Sequence, residues 1–262
     1  MKKIHFLSIE TETQSNIEKN LIESSRINNI DLHIIGRGVK WEGFITKFQI
    51  LKEYLPTISE DIVCLTDSRD VLYMSDSKKI YNTFIKNFSK DCIVFNGETN
   101  CFPEKSFAEL HPNQSKKYKY LNSGCVIGSR ILLIEIVDKC LELYDSCKIN
   151  DDQYLLQKIF LDGEYGDKFT IDYDCKIFQC IWDEDYGRSN NFDLVYTQNE
   201  IYNRLTDTYP LIFHYPGPTC TGSQVWKILN KSYYKIPNTK YYKEKKKKYE
   251  SISDSELHKL WL

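Results

Sequence analysis

The chain lacks most of the features that announce a function at sight. No apolar run approaches the roughly 18 residues that a membrane-spanning helix needs, and "MKKIHFLSIETE" meets its acids too early to be a secretory signal. No GxxxxGK[ST] occurs, which excludes a P-loop as the phosphate-binding device. The nine cysteines include no CxxC pair, are odd in number and are irregularly spaced. That fits reduced, buried thiols better than a zinc site or a disulfide framework. A dominant charge is missing too: 35 basic residues against 37 acidic ones leave no overall field to draw nucleic acid or a membrane surface. The one strong bias is local, in "YYKEKKKKYE" (241–250), and reads as a solvated basic segment.

What is present is an order of elements. At 262 residues the chain makes one large domain or two small ones. "KIHFLSI" (3–9) predicts a first strand, Thr13 to Ile27 a helix, and "IDLHIIG" (30–36) a second strand. Apolar residues at 44, 45, 48, 51, 54 and 55 have helical period. "DIVCLTD" (61–67) is almost continuously apolar, as expected of a strand covered on both faces. A helix (77–88) and the strand "CIVFN" (92–96) follow. This alternation predicts an α/β protein with a mostly parallel, doubly wound sheet through about residue 100. Beyond it, "YLNSGCVIG" (120–128) reads as a polar turn running into a strand, and "INDDQYLLQKIF" (149–160) as an amphipathic helix. "PLIFHYPGPT" (210–219) reads as a strand that ends in a histidine and a rigid turn.

Such sheets bind ligands at the carboxyl ends of their strands, where Asp67 and Asp70 of "TDSRDV" stand. The pair either shapes a turn through an Asx hydrogen bond or holds a hard divalent cation that keeps positions open for phosphate oxygens. Asp151 and Asp152 either cap their helix or serve the chemistry. Lys47, one turn into its helix, is either solvated or within reach of a phosphate. His214 alone among the five histidines opens a turn able to press backbone amides against a phosphate.

The ordered set "IETE", "GRGVKWEG", "TDSRDV", "NGETNCFPE", "YLNSG", "DDQ", "KIFQ" and "HYPGPT" resembles the N-terminal glycosyltransferase domain of the multifunctional collagen lysyl hydroxylases. With this composition and no leader, the chain is most similar to a stand-alone viral form of that domain. The likeness runs from residue 3 to about 230. It implies a GT-A type fold with a Rossmann-like central sheet: a single domain over 1–234, nucleotide-binding to about 100 and acceptor-binding from 101, then a basic tail over 235–262. It further implies an Mn²⁺-dependent, retaining hexosyltransferase that moves glucose from UDP-glucose to galactosyl-hydroxylysine in a collagen-like glycoprotein. Transfer of galactose from UDP-galactose to hydroxylysine, and a non-catalytic UDP-sugar or collagen-binding module, are the alternatives.

Carried over position by position, the resemblance makes Asp67, Asp70 and His214 the metal ligands. It sets Phe6, Leu7, Ser8, Lys47, Asp67, Ser68, Arg69 and the turn Gly217, Pro218, Thr219 around UDP. Glu98, Cys101 and Asn122 line the sugar pocket, and Asp151 and Asp152 face the transfer, with Asp152 deepest. A homodimer, and residence in a host cytoplasm or a virion, are the accompanying expectations. Four departures stand out: Arg69 replaces a tyrosine, Phe102 a tryptophan, Cys220 a lysine, and the acid run is cut to "DDQ".

Overall fold

The structure, a computed structural model, describes residues 4–13, 19–181, 194–196 and 201–216. The expected turn of Gly217, Pro218 and Thr219 and the basic tail lie outside the described residues. In chain order the elements are β1 (His5–Ile9), α1 (Lys19–Ile27), β2 (Leu32–Ile35), α2 (Ile45–Tyr54), β3 (Ile62–Asp67), β4 (Val71–Tyr73), α3 (Ser77–Asn87) and β5 (Ile93–Glu98). Then come β6 (Tyr120–Ser129), α4 (Arg130–Cys147), α5 (Asp152–Asp162), β7 (Phe169–Asp172), β8 (Phe178–Cys180), β9 (Leu194–Tyr196), β10 (Ile201–Asn203) and β11 (Ile212–His214).

Among the described residues the main sheet has six strands in the order β2-β1-β3-β6-β5-β7. β1 runs parallel to β2 and β3, and β5 runs parallel to β7; β6 lies antiparallel between β3 and β5. The strands buried on both faces send successive side chains to opposite sides. Leu7, Val63 and Phe95 pack with Phe48 of α2, Ile136 of α4 and Leu155 of α5. Their neighbours Phe6, Cys64 and Val94 pack with Leu21 of α1, Tyr73 of β4 and Phe84 of α3. Two covered faces explain the unbroken apolar runs. Each fully buried Leu or Phe in them contributes about 1.5–3 kcal/mol.

Helix starts are fixed locally. Asp76 accepts from Lys79 N at the head of α3, Ser129 from Leu132 N at α4, and Asp151 from Tyr154 N at α5. Each cap satisfies an amide that the helix itself leaves bare, worth about 1 kcal/mol.

Strands from before and after residue 100 build one sheet, because β6 inserts between β3 and β5. Two features differ from the expectation. "YLNSG" is not a turn but the start of β6, where the pairing with β5 shifts register between Phe95 and Asn96. Phe95 faces Val126 and Asn96 faces Asn122, so Ser123, Gly124 and Cys125 bulge out without a β5 partner. Finally, the chain leaves β3 through Ser68, Arg69 and Asp70 straight into β4, which belongs to a second sheet, β4-β11-β8. A three-residue strand behind a polar turn has too short a pattern to show in the sequence.

Candidate active site

The carboxyl ends of β1, β3, β5 and β7, together with the beginning of β6, meet at one edge of the main sheet. Asp67 closes β3, and Asp70 ends the crossing into β4. β11 pairs antiparallel with β4, setting His214 opposite Val71, and Tyr215 N donates to Asp70 O at 3.0 Å. A histidine distant in sequence is thereby fixed beside the two acids. Its Nε2 lies 3.5 Å from Asp70 Oδ2 and 3.8 Å from Asp67 Oδ2. One ligand atom from each of the three residues falls within 4.8 Å of the others.

His214 is 2 % exposed, and among the described residues neither ring nitrogen has a well-formed hydrogen bond. Burial alone would push the imidazole pKa down, but the charges of Asp70 and Asp67 outweigh it and hold the value up. A buried imidazole left without well-formed hydrogen bonds and facing two carboxylates is costly unless something else completes it. Two carboxylates and an imidazole are a fitting donor set for a borderline divalent cation. The bulge in β6 makes the room: a Cβ on Gly124 would lie 2.6 Å from His214 Nε2, so only glycine admits the ring.

Lys47 rises from the first turn of α2 into this corner. Its ammonium donates to Asp67 Oδ1 at 2.6 Å and to Asp152 Oδ2 at 2.8 Å. Burial would lower the lysine's pKa, yet the two acids raise it well above the ordinary range, so it stays charged. Asp152 is buried at the start of α5, while Asp151 faces away and caps the helix. Burial raises the Asp151 pKa against the Tyr154 amide, which holds it down. Adjacent helix-start residues diverge by about 100°, which is why the two acids separate in this way.

Asn150 aligns the two helices: its Oδ1 accepts from Ile45 N at 2.9 Å and its Nδ2 donates to Glu42 O at 2.8 Å. Gly43, at φ +103°, leaves room for it. Gln153 ties the rest together. It accepts from Ser123 N at 3.0 Å in the bulge and donates to Glu98 Oε1 at 2.6 Å and Phe102 O at 2.7 Å. Glu98 and Asn122 are buried beside this network, and Asn122 Oδ1 accepts from Gly124 N to shape the bulge. Cys101 is half-buried, its thiol pushed up to about 11 by burial, with Sγ donating to Glu104 O. Phe102 stands out from the rim at 52 % exposure.

Next to the three ligand-type residues opens a cavity of about 390 Å³, lined by Ile9 to Glu12, Trp41, Phe44, Lys47 and Asp67 to Asp70. Trp41 and Phe44 meet edge to face at 5.8 Å. Arg69 grips Glu10 with two hydrogen bonds of 3.0 Å and reaches Glu12 at 2.9 Å, while Ser68 Oγ donates to Glu10 at 3.1 Å. Burial would raise the Glu10 pKa, but the guanidinium wins and lowers it.

Three of the residues expected around UDP have side chains that lie off the cavity wall. Phe6 and Leu7 are core residues, and Ser8 is fully buried with Oγ donating to Thr66 O at 2.8 Å. β1 stays buried to its last residue, so the cavity wall begins at Ile9 rather than at the sixth residue. Glu10, Trp41, Phe44, Gly124 and Gln153 were not singled out from the sequence. Phe44 was noted only as part of an apolar helical period and the others stood inside quoted segments, but nothing in the residue types marked which way each side chain turns.

Comparison with known proteins shows the family. The profile described as the PLOD GT domain matches residues 1–233, and the chain belongs to that family of glycosyltransferase domains. It is 30% identical over 202 residues to "Uncharacterized protein R699" of Acanthamoeba polyphaga mimivirus, covering 73% of this chain and 41% of that one. It is 28% identical over 229 residues to the multifunctional procollagen lysine hydroxylase and glycosyltransferase of Caenorhabditis elegans, covering 81% and 30%. The chain thus spans well under half the length of these relatives. Among solved structures, a glycosyltransferase involved in glycosylating the major capsid of PBCV-1 superposes with a TM-score of 0.52 at 13% identity, over 86% of this chain and 98% of that one. The fold is therefore the GT-A type α/β architecture, with its mostly parallel sheet flanked by helices.

Proposed function

We propose that the protein is a metal-dependent, retaining hexosyltransferase that moves glucose from UDP-glucose to galactosyl-hydroxylysine of a collagen-like protein. The observation that carries this reading is the convergence of Asp67, Asp70 and a buried His214, with no well-formed hydrogen bond among the described residues, beside a cavity able to take a nucleotide. Membership in the PLOD GT family, and relatives named as procollagen lysine hydroxylases and glycosyltransferases, support the collagen-type acceptor.

Asp67, Asp70 and His214 would hold the cation, and a ligand set with one nitrogen suits Mn²⁺ better than Mg²⁺. When bound, the cation supplies positive charge against the diphosphate that departs as UDP. The rest falls to the chain. Trp41 and Phe44 offer exposed aromatic surface for a base, and the clamped Arg69 and Ser68 edge the ribose. Asp152 and Glu98 would face the donor sugar, where carboxylates orient hydroxyls and stabilise positive charge at the anomeric carbon. Gln153 keeps both in position.

The test is UDP release from UDP-glucose and UDP-galactose, with and without Mn²⁺, and with and without a galactosyl-hydroxylysine peptide. The expected result is Mn²⁺-dependent release, fastest from UDP-glucose and accelerated by the peptide. Faster release from UDP-galactose, accelerated by an unglycosylated hydroxylysine peptide, would move the assignment to galactosyl transfer. No release from any UDP-sugar would sink it.

A further inference from the structure

Lys47 uses both of its visible hydrogen bonds on acids, and one of those acids is a proposed cation ligand. The two oxygens of Asp67 divide the work: Oδ1 takes the lysine at 2.6 Å, and Oδ2 faces His214 at 3.8 Å. A fixed positive charge on a carboxylate drains it as a ligand and repels a second cation arriving on its other side. The contact is enforced rather than incidental. Asn150 locks the head of α2 to the head of α5, so Lys47 and Asp152 are held in register, and β3 brings Asp67 between them. At 18 % side-chain exposure the ammonium has little solvent to retreat into. Asp152 gives it a second anchor at 2.8 Å that does not depend on Asp67.

The geometry points to Lys47 as the site's own counter-ion, which shares Asp67 with the divalent cation, opposes cation binding by its charge, and remains on Asp152 once Asp67 serves the cation. This rests on the metal-dependent reading above. Without the cation, Lys47 keeps Asp67 and Asp152 from repelling each other. With it, the lysine's charge is concentrated on Asp152, the acid placed nearest the transfer. The rival role, in which Lys47 merely orients Asp67 for the metal, has the opposite consequence: removing the lysine would weaken cation binding.

The deciding experiment is calorimetric titration of MnCl₂ into the full chain with no nucleotide, for wild type, Lys47→Met, Lys47→Gln and Lys47→Arg, each checked for folding by circular dichroism. Lys47→Met should bind Mn²⁺ on the order of tenfold more tightly than wild type, because the opposing charge is gone. Lys47→Gln, which keeps a donor but no charge, should also tighten binding, and it decides the matter if the methionine variant does not fold. Lys47→Arg should stay near wild type. Equal or weaker binding by the uncharged variants, with wild type binding normally, overturns the counter-ion role and leaves the metal site standing. Absence of Mn²⁺ binding in every variant overturns the metal reading, and this inference with it.

Discussion

The two ends of the main sheet each bury a histidine near a carboxylate, and they have used it differently. At the amino ends of the parallel strands, His5 shares a hydrogen bond of 3.1 Å between Nε2 and Tyr54 Oη, with Nδ1 3.6 Å from Glu60. Its ring stacks on His33 at 4.4 Å. At the carboxyl ends, His214 has two acids near it, Asp70 at 3.5 Å and Asp67 at 3.8 Å, and among the described residues no well-formed hydrogen bond. Residue types and burial are alike at the two places. What separates them is satisfaction: the first histidine is completed by neighbouring side chains, and the second has no such hydrogen-bond partner among the described residues. Backbone design follows the same division. The bulge, Gly124 and the crossing from β3 to β4 all occur at the unsatisfied end, where irregularity aims side chains.

The sharpest way to break this contrast is to remove one acid at the unsatisfied end. Asp70→Ala should abolish UDP-sugar turnover, by a thousandfold or more, while the melting temperature of the cation-free chain hardly falls. The Asp70 carboxylate is partly exposed, and its near neighbour is His214 at 3.5 Å, so its loss removes little native-state bonding. A turnover assay beside a melt checks both halves. Retained activity, or activity indifferent to EDTA, would show that the corner is not the cation site.

Asp152→Asn is the next largest effect. The acid lies inside the site, bonded to Lys47 and followed by Gln153, whose N donates to Asp152 Oδ1 at 3.0 Å. Transfer should fall about a hundredfold, equivalent to about 2.7 kcal/mol of transition-state stabilisation. UDP affinity should survive, since the cavity wall from Ile9 to Glu12 is untouched. Asp151→Asn should cost turnover far less, and stability only a few tenths of a kcal/mol, because asparagine also caps a helix. If the two aspartates exchange roles in the assay, the start of α5 is turned differently from its position here.

Gly124→Ala addresses the bulge itself. The added methyl would collide with the His214 ring, and the ring cannot retreat because β11 is held between β4 and β8. Mn²⁺ affinity should fall by about tenfold or more, whereas Gly163→Ala, at a helix end with open space around it, should leave affinity unchanged. At φ +73° that control costs only about 1 kcal/mol of stability. Equal effects on Mn²⁺ binding would mean that the bulge does not seat the histidine.

The legible part of the site was the part written in continuous sequence. The apolar run of β3 ending in acids, and the acids at the head of α5, stand out because periodicity and composition change together there. The approach of β11 to β4 was not legible from pattern, since each strand is three residues long and their pairing spans the chain. Resemblance, not periodicity, put His214 with the acids. The burial of the Phe6, Leu7 and Ser8 side chains was not legible for a related reason. All five residues of β1 are buried, so no alternation marks where the strand leaves the core and the cavity begins. Glu10 is the instructive case: nothing in "IETE" sets it apart from Glu12, yet Arg69 and Ser68 draw it inside.

The smallest expected effect lies at the satisfied end. His5→Leu removes the Tyr54 hydrogen bond, the stack on His33 and the neighbour of Glu60, and replaces them with an apolar side chain in a buried space. Stability should fall by about 1–2 kcal/mol, with UDP-sugar turnover within twofold of wild type. The pH dependence gives the loss a signature. Burial would raise the Glu60 pKa, but backbone hydrogen bonds and His5 together lower it. A carboxylate with a lowered folded pKa adds stability that is present above its unfolded value of about 4.3 and is lost as pH falls through the folded value. The part owed to His5 requires a protonated imidazole facing an ionised Glu60, and it disappears as pH falls through the folded value of Glu60. The melting-temperature gap between wild type and His5→Leu should narrow as pH drops below about 4. A gap that instead widened in acid would show that Glu60 is not held by the histidine. A large loss of turnover would show something more consequential, that the two ends of the sheet are coupled and that completeness of hydrogen bonding does not separate structure from function here.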